Sequence, residues 1–313
     1  MTEPRGEAVY PPSLQPGDTI GIFSPAGPVR DQNKIDNSLR LFRDAGYKLL
    51  VTEQTLSPVD YLAASDEERA AELMRLWADP SIRALVALRG GYGCLRMIDL
   101  LDWKFMARHP KMVIGFSDLT VLLNTLYSHG GLVGIHGPVL STLATSSEQS
   151  VESFFSLLNG KIPSYEIGDQ IELLRGGNAR GTVLGGNLTT LVHMLSTPWE
   201  INWDGSILVL EDTGEDMYRI DRMLTQLYLG GKLDRLGGLI LGDFDRGNGS
   251  NQELNKDLAV RVGSRVLELT KELDFPVWTG FPLGHGIDNL PLLIGMKGIM
   301  NSTNRFFGYC QTI

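Results

Sequence analysis

Between residues 18 and 136, short and wholly apolar runs alternate with amphipathic helical patterns, and few folds accept that order. Thr19 to Phe23 reads as a strand, and Asp31 to Asp44 as a helix with Ile35, Leu39 and Phe42 on one face. Tyr47 to Val51 is strand-like, and Ser65 with Glu68 three residues on forms a capping box that opens a helix. Leu85 to Leu88 and Met112 to Ile114 are further apolar strands, each followed by a helical pattern. Strands without a polar face must be covered on both sides, so the pattern implies a parallel sheet between helices. Ligands in such sheets sit beyond the carboxyl ends of the strands. Glycine-bearing loops fall at three of those ends: Ser24–Pro28, Arg89–Gly93 and Gly115–Ser117.

The chain changes character further on. Residues 1–145 are expected to form this N-terminal parallel-sheet α/β domain. Residues 146–180, rich in Ser, Glu and Gly around one short helical piece at Val151 to Leu158, read as a linker. Residues 181–313 mix strands and helices in a smaller C-terminal α/β domain. Ser206 to Leu210, Gly238 to Leu241 and Pro276 to Gly280 are strand-like. Tyr218 to Leu229 and Leu258 to Leu273 are helical, and Leu290 to Ile299 reads as a terminal strand pair.

At 313 residues the chain has room for these two domains. A net charge of −9 without any basic run argues against nucleic acid as a partner. No stretch approaches the ~20 apolar residues that cross a bilayer, and the N-terminus lacks the apolar core of a signal peptide. A cytoplasmic protein with no membrane partner is therefore expected. In a reducing compartment Cys94 and Cys310 read as free thiols, and no His/Cys cluster nominates a metal. Neither metal nor cofactor is expected.

The chemistry-bearing residues are more ambiguous. Gly115-Phe-Ser-Asp118 puts Ser117 at a sharp strand-to-helix turn, where a helix N-terminus favours negative charge. Position 119 is Leu where the hydrolase elbow has its second glycine, and alone the pattern fits a helix N-cap better than a nucleophile. A nucleophilic serine needs a base and a group to orient the base. Of the five histidines, His109 fits a solvated loop, His129 a cation at a helix C-terminus, and His193 a helix surface. His136 at a strand end and His285 between two glycines remain, with His285 slightly ahead. Ile207-Leu-Val-Leu-Glu-Asp212 is an apolar strand ending in carboxylates and offers Glu211 as the orienting acid. Asp212 or Thr213 capping the next helix explains the same residues. Arg89-Gly-Gly-Tyr-Gly93 suits a phosphate cradle, an oxyanion site or a plain tight turn. It is neither a Walker loop nor a dinucleotide fingerprint.

Taken together, the motifs resemble the LD-carboxypeptidase family of serine peptidases, which includes murein tetrapeptide carboxypeptidases and microcin C immunity peptidases. The resemblance runs from about Gly17 to about Met300. It rests on Gly17–Gly27, Arg89–Gly93, Gly115–Asp118, His136-Gly-Pro138, Gly185-Gly-Asn-Leu188, Leu210-Glu-Asp212 and Gly284-His-Gly286. It implies a Rossmann- or flavodoxin-like N-terminal domain and a mixed C-terminal domain with a barrel-like sheet. It also implies a Ser117–Glu211–His285 triad, with an oxyanion hole from the backbone N–H of Asp118 and the Gly90–Gly91 turn. Arg89 and Tyr92 become candidates for substrate binding, Arg89 through a carboxylate. Family members are typically homodimers. The 210–224 stretch looks more like the murein enzymes, so the implied activity is release of the terminal D-alanine from a cytoplasmic murein tetrapeptide. A microcin-type peptidase acting on aminoacyl nucleotides, a non-catalytic two-domain binding protein and a phosphate-loop enzyme are the alternatives.

Overall fold

The computed structural model describes residues 8–29, 31–52, 60–247 and 252–310, and these divide into two compact units. The first comprises residues 1–161 together with 289–294, and the second 162–288 with 295–313.

In the first unit, β1 (Thr19–Phe23), β2 (Lys48–Val51), β3 (Ile82–Ala87), β4 (Met112–Gly115) and β5 (Gly134–His136) form a parallel sheet in the order β5-β4-β3-β1-β2. This is the doubly wound order of flavodoxin-type folds, in which the strand order reverses between β1 and β3. Local chemistry sets the helices. The Asp31 carboxylate caps the helix Gln32–Asp44 through the Asn33 and Lys34 amides. The expected capping box opens Asp66–Ala78, with Ser65 and Glu68 bonded reciprocally. β3 starts three residues earlier than its apolar run suggests, because exposed Arg83 interrupts the pattern.

The second unit holds β6 (Tyr165–Glu166), β7 (Glu172–Arg175), β8 (Asn178–Asn187), β9 (Ile207–Thr213), β10 (Gly238–Asp245) and β11 (Val277–Thr279). The chain then returns to the first unit for β12 (Leu292–Ile294), which pairs antiparallel with β5, before β13 (Lys297–Asn301) and β14 (Phe306–Tyr309) complete the second. The resulting curled, mixed eight-stranded sheet runs β6-β14-β13-β8-β9-β10-β11-β7. Phe281, Phe307 and Tyr165 pack edge-on or stacked in its core, with Phe281 5.5 Å from Tyr165 and 5.6 Å from Phe307.

Two sequence expectations need correction. Leu290 to Ile299 does contain two strands, but β12 and β13 belong to different sheets and do not pair with each other. Gly295, at φ +94°, makes the turn between them. The segment 146–180 is also built into the units. Its helix Glu148–Leu158 sets Phe154 and Phe155 against Phe42, at 5.7 and 5.3 Å between ring centroids, which ties residues up to 161 to the first unit. Residues 162–180 supply β6, β7 and the start of β8 to the second.

Candidate active site

Within the first unit, the loops after β1, β3 and β4 meet at the carboxyl end of the sheet. Ser117 follows β4 and opens a tight turn, Ser117–Leu119, that runs into the helix Thr120–Gly130. Its φ is +64°, a conformation that a side chain with a Cβ adopts only at a cost of about 1–3 kcal/mol. Gly115 makes the turn possible, because a Cβ there would overlap the Leu119 side chain. Ser117 is not the cap of the following helix. The residues at the cap positions, Phe116 and Leu119, make no side-chain cap bond.

The Gly90 backbone lies directly against Ser117. A Cβ added at Gly90 would stand 2.9 Å from the serine Cβ and 3.1 Å from its Oγ, so only glycine fits. Gly91, at φ +126°, packs on Gly27, whose amide donates to the Gly90 carbonyl at 3.1 Å. Three further side chains hold this loop. Asp118 accepts the Cys94 amide at 2.8 Å. Burial pushes the Asp118 carboxyl up, and that bond and nearby Arg69 oppose the rise. Arg89 donates to the Pro28 carbonyl at 2.8 Å. Arg69, 1% exposed on the helix Asp66–Ala78, donates to the carbonyls of Ala64, Pro25 and Gly93 and pairs with Asp66. Tyr92 is 52% exposed, with its ring 6.0 Å from that of Tyr61.

In the second unit, Glu211 sits near the carboxyl end of β9 with its side chain fully buried, and its Oε2 lies 2.7 Å from Nδ1 of His285. His285 is 21% exposed. Burial disfavours the imidazolium, but the Glu211 charge and hydrogen bond outweigh it, with smaller help from Asp245 and Asp212, and the pKa is raised. Occupation of Nδ1 by a carboxylate directs Nε2 toward proton exchange. Gly284, at φ +126°, lets the histidine turn lie flat on the strand ends, since a Cβ there would sit 3.1 Å from the Asp243 Cβ and 3.2 Å from the Glu211 Cβ.

Asp212 does not cap the helix that follows it. Its carboxylate accepts from Asn187 Nδ2 at 3.0 Å and from Thr189 N and Oγ1 at 2.9 and 2.7 Å, bracing the start of the helix Leu188–Met194. Burial first, and then the Glu211 charge, raise its pKa to about 6.

The other histidines lie elsewhere. His136 is buried within β5 with its ring against Phe116. His193 and His109 place Nδ1 on the carbonyls of Thr189 and Phe105, four residues back. Burial pushes the His129 pKa down. Cys94 and Cys310 are free, and burial raises the Cys94 thiol far above its ordinary range. Among the described residues, no group of three or more His, Cys, Asp or Glu side chains is arranged to hold a metal ion, and no helix is long and apolar enough to cross a membrane.

The structure thus joins Ser117 to Gly90 within one unit and Glu211 to His285 within the other. Sequence reasoning missed Arg69 and Asp243. The available signals were an Arg and a Glu on the apolar face of the helix Asp66–Ala78, and a Gly-Asp interruption in β10.

Family models for the LD-carboxypeptidase N-terminal and C-terminal domains match residues 20–137 and 180–300. A Pseudomonas aeruginosa murein tetrapeptide carboxypeptidase is 33% identical, covering 90% of this chain and 92% of its own. The solved muramoyltetrapeptide carboxypeptidase of Oxalobacter formigenes is 30% identical over 92% of this chain and 97% of its own, with a TM-score of 0.78. The Escherichia coli microcin C7 self-immunity protein MccF is 28% identical over 93% of each chain. A structure of MccF with glutamyl sulfamoyl guanosine gives a TM-score of 0.87 at 25% identity, covering 96% of this chain and 98% of that one.

Proposed function

The chain belongs to the LD-carboxypeptidase family and is a hydrolase of peptide bonds, and from that premise we propose that it is a serine L,D-carboxypeptidase releasing the terminal D-alanine of murein tetrapeptide. The observation that carries this reading is the buried Glu211 carboxylate on His285 Nδ1, an arrangement that orients a general base and stabilises the imidazolium it becomes. Ser117, held clear of the sheet by its positive φ, attacks the scissile carbonyl while His285 Nε2 takes its proton. The same proton passes to the departing D-alanine amine, leaving an acyl-enzyme. Water, deprotonated by His285, then releases the shortened peptide and restores the serine. Backbone N–H groups of Asp118 and the Gly90–Gly91 turn bind the oxyanion, each worth about 2.7–4 kcal/mol of transition-state stabilisation. Arg89 is the partner for the free substrate carboxylate, its fork steadied by Pro28, and exposed Tyr92 flanks the peptide. A cytoplasmic role in wall-peptide recycling, and a homodimer, complete the proposal.

Fold similarity favours a second reading, because MccF superposes more closely than the muramoyltetrapeptide enzyme. In that case the substrate is an aminoacyl nucleotide rather than a murein peptide. Greater identity to the murein enzymes supports the first reading. Mass spectrometry of a tetrapeptide ending in D-Ala, with wild type and Ser117→Ala, separates the two. Loss of one alanine in the wild type alone is expected. No loss, with cleavage of an aminoacyl sulfamoyl nucleotide instead, moves the assignment to the second reading.

A further inference from the structure

Of the carboxylates around His285, two are committed to other groups. Asp212 braces the helix Leu188–Met194, and Asp245 accepts Thr213 Oγ1 and the Gly247 amide, each at 2.6 Å. Asp243 instead faces the histidine turn. The ladder between β9 and β10 shifts register between Leu241 and Phe244, so Gly242 and Asp243 form an irregularity of the kind that re-aims a side chain. Gly242 is needed at that point, because a Cβ there would lie 2.5 Å from the Leu283 carbonyl oxygen and 2.7 Å from its Cγ.

Three hydrogen bonds then fasten the turn to the shifted segment. Phe281 N donates to Leu241 O at 3.1 Å, and Asp243 N to Leu283 O at 2.8 Å. Gly286 N donates to Asp243 Oδ2 at 3.0 Å. The last is the only one of the three made by a side chain, and it grips the residue immediately after His285. Gly286 must be glycine for the carboxylate to come so near, since a Cβ there would overlap Oδ2.

We propose that Asp243 is a positioning residue for the general base: its carboxylate, re-aimed by the irregularity in β10, holds the Gly286 amide and thereby keeps the His285 imidazole on Glu211. The role rests on the serine-peptidase reading above for its catalytic consequence, though not for its geometry. A displaced imidazole costs turnover rather than affinity, because proton transfer fails when the base moves by about 1 Å. Asn at this position is nearly isosteric and still offers an oxygen to the Gly286 amide, whereas Ala offers none.

The test compares wild type, Asp243→Asn and Asp243→Ala by proton NMR and by kinetics on the murein tetrapeptide. The readout is the downfield Nδ1–H resonance of His285 on Glu211, assigned by its loss in His285→Gln. Asp243→Asn is expected to keep the resonance and to lower kcat by no more than roughly 3-fold. Asp243→Ala is expected to lose it and to lower kcat about 100-fold with little change in KM. If Asp243→Ala does not fold, Asp243→Ser, whose hydroxyl falls short of Gly286, takes its place. An intact resonance and wild-type kcat in the truncated variant overturn the proposal, as does equal loss in Asp243→Asn. A wild type that leaves the tetrapeptide uncut refutes the substrate reading, while the resonance still decides the role of Asp243.

Discussion

Ser117, the proposed nucleophile, carries its strain in a single backbone torsion. A φ of +64° is sterically poor for any residue with a Cβ and free for glycine. Ser117→Ala keeps the Cβ and the strain, whereas Ser117→Gly removes both. Both variants are expected to be inactive, with Ser117→Gly more stable than Ser117→Ala by about 1 kcal/mol. Denaturant melts of the two variants check this, and equal midpoints would refute a strained elbow. Residues of this kind were only partly legible. The glycines flanking His285 announced a close approach and those at 90 and 115 only turns or loops, yet Gly90, Gly115 and Gly284 each have a neighbour where a Cβ would go. Local pattern offered Glu211 as an acid but could not pair it with His285, because 74 residues separate the two and only the fold brings them together. Spacing alone left His136 and His285 open, the resemblance implied His285, and the fold places a buried carboxylate beside it.

At the scale of elements, the helix Asp66–Ala78 fixes the loops around Ser117. Arg69 is its inward-facing cation, and its fork joins the carbonyl of Pro25 after β1 to that of Gly93 after β3. Gly93 in turn leaves room for the guanidinium, since a Cβ there would stand 2.8 Å from Nη1. Replacing Arg69 with Met strands the carbonyls of Ala64, Pro25 and Gly93 and is expected to cost about 3–5 kcal/mol. Turnover should fall with stability, because the Gly90 backbone loses its anchor. Lys is expected to rescue little, as a point charge cannot span diverging carbonyls. Thermal melts and kcat for Arg69→Met and Arg69→Lys test this, and a Lys variant matching the wild type would remove the clamp from the account. The helix itself was legible because its capping box is local. The short strands β6, β7 and β14 were not, since each is two to four residues long and carries no firm alternation.

For the whole molecule, the chain path is the feature that local pattern hides. Leu290 to Ile299 is apolar apart from Lys297, and nothing in its composition says that β12 joins one sheet and β13 the other. The first unit is consequently not a contiguous stretch. Leu292, Leu293 and Ile294 are fully buried against β5, and the Asn289 amide donates to Ser150 Oγ at 2.9 Å. A fragment ending at residue 161 would bare the β5 edge and the apolar surface that β12 covers, a template for association between chains. That fragment is expected to aggregate or melt without cooperativity. Appending residues 288–295 through a flexible Gly/Ser linker should restore a cooperative transition, because the linker adds only a slowly growing closure entropy. Size-exclusion chromatography and circular-dichroism melts of the two fragments decide the matter. An unextended fragment that is monomeric and melts like the extended one would show that β12 is dispensable to its sheet. Rescue by the appended strand would instead make this late segment part of the unit that presents Ser117, so that Ser117 is held in a complete sheet only once nearly the whole chain has been made.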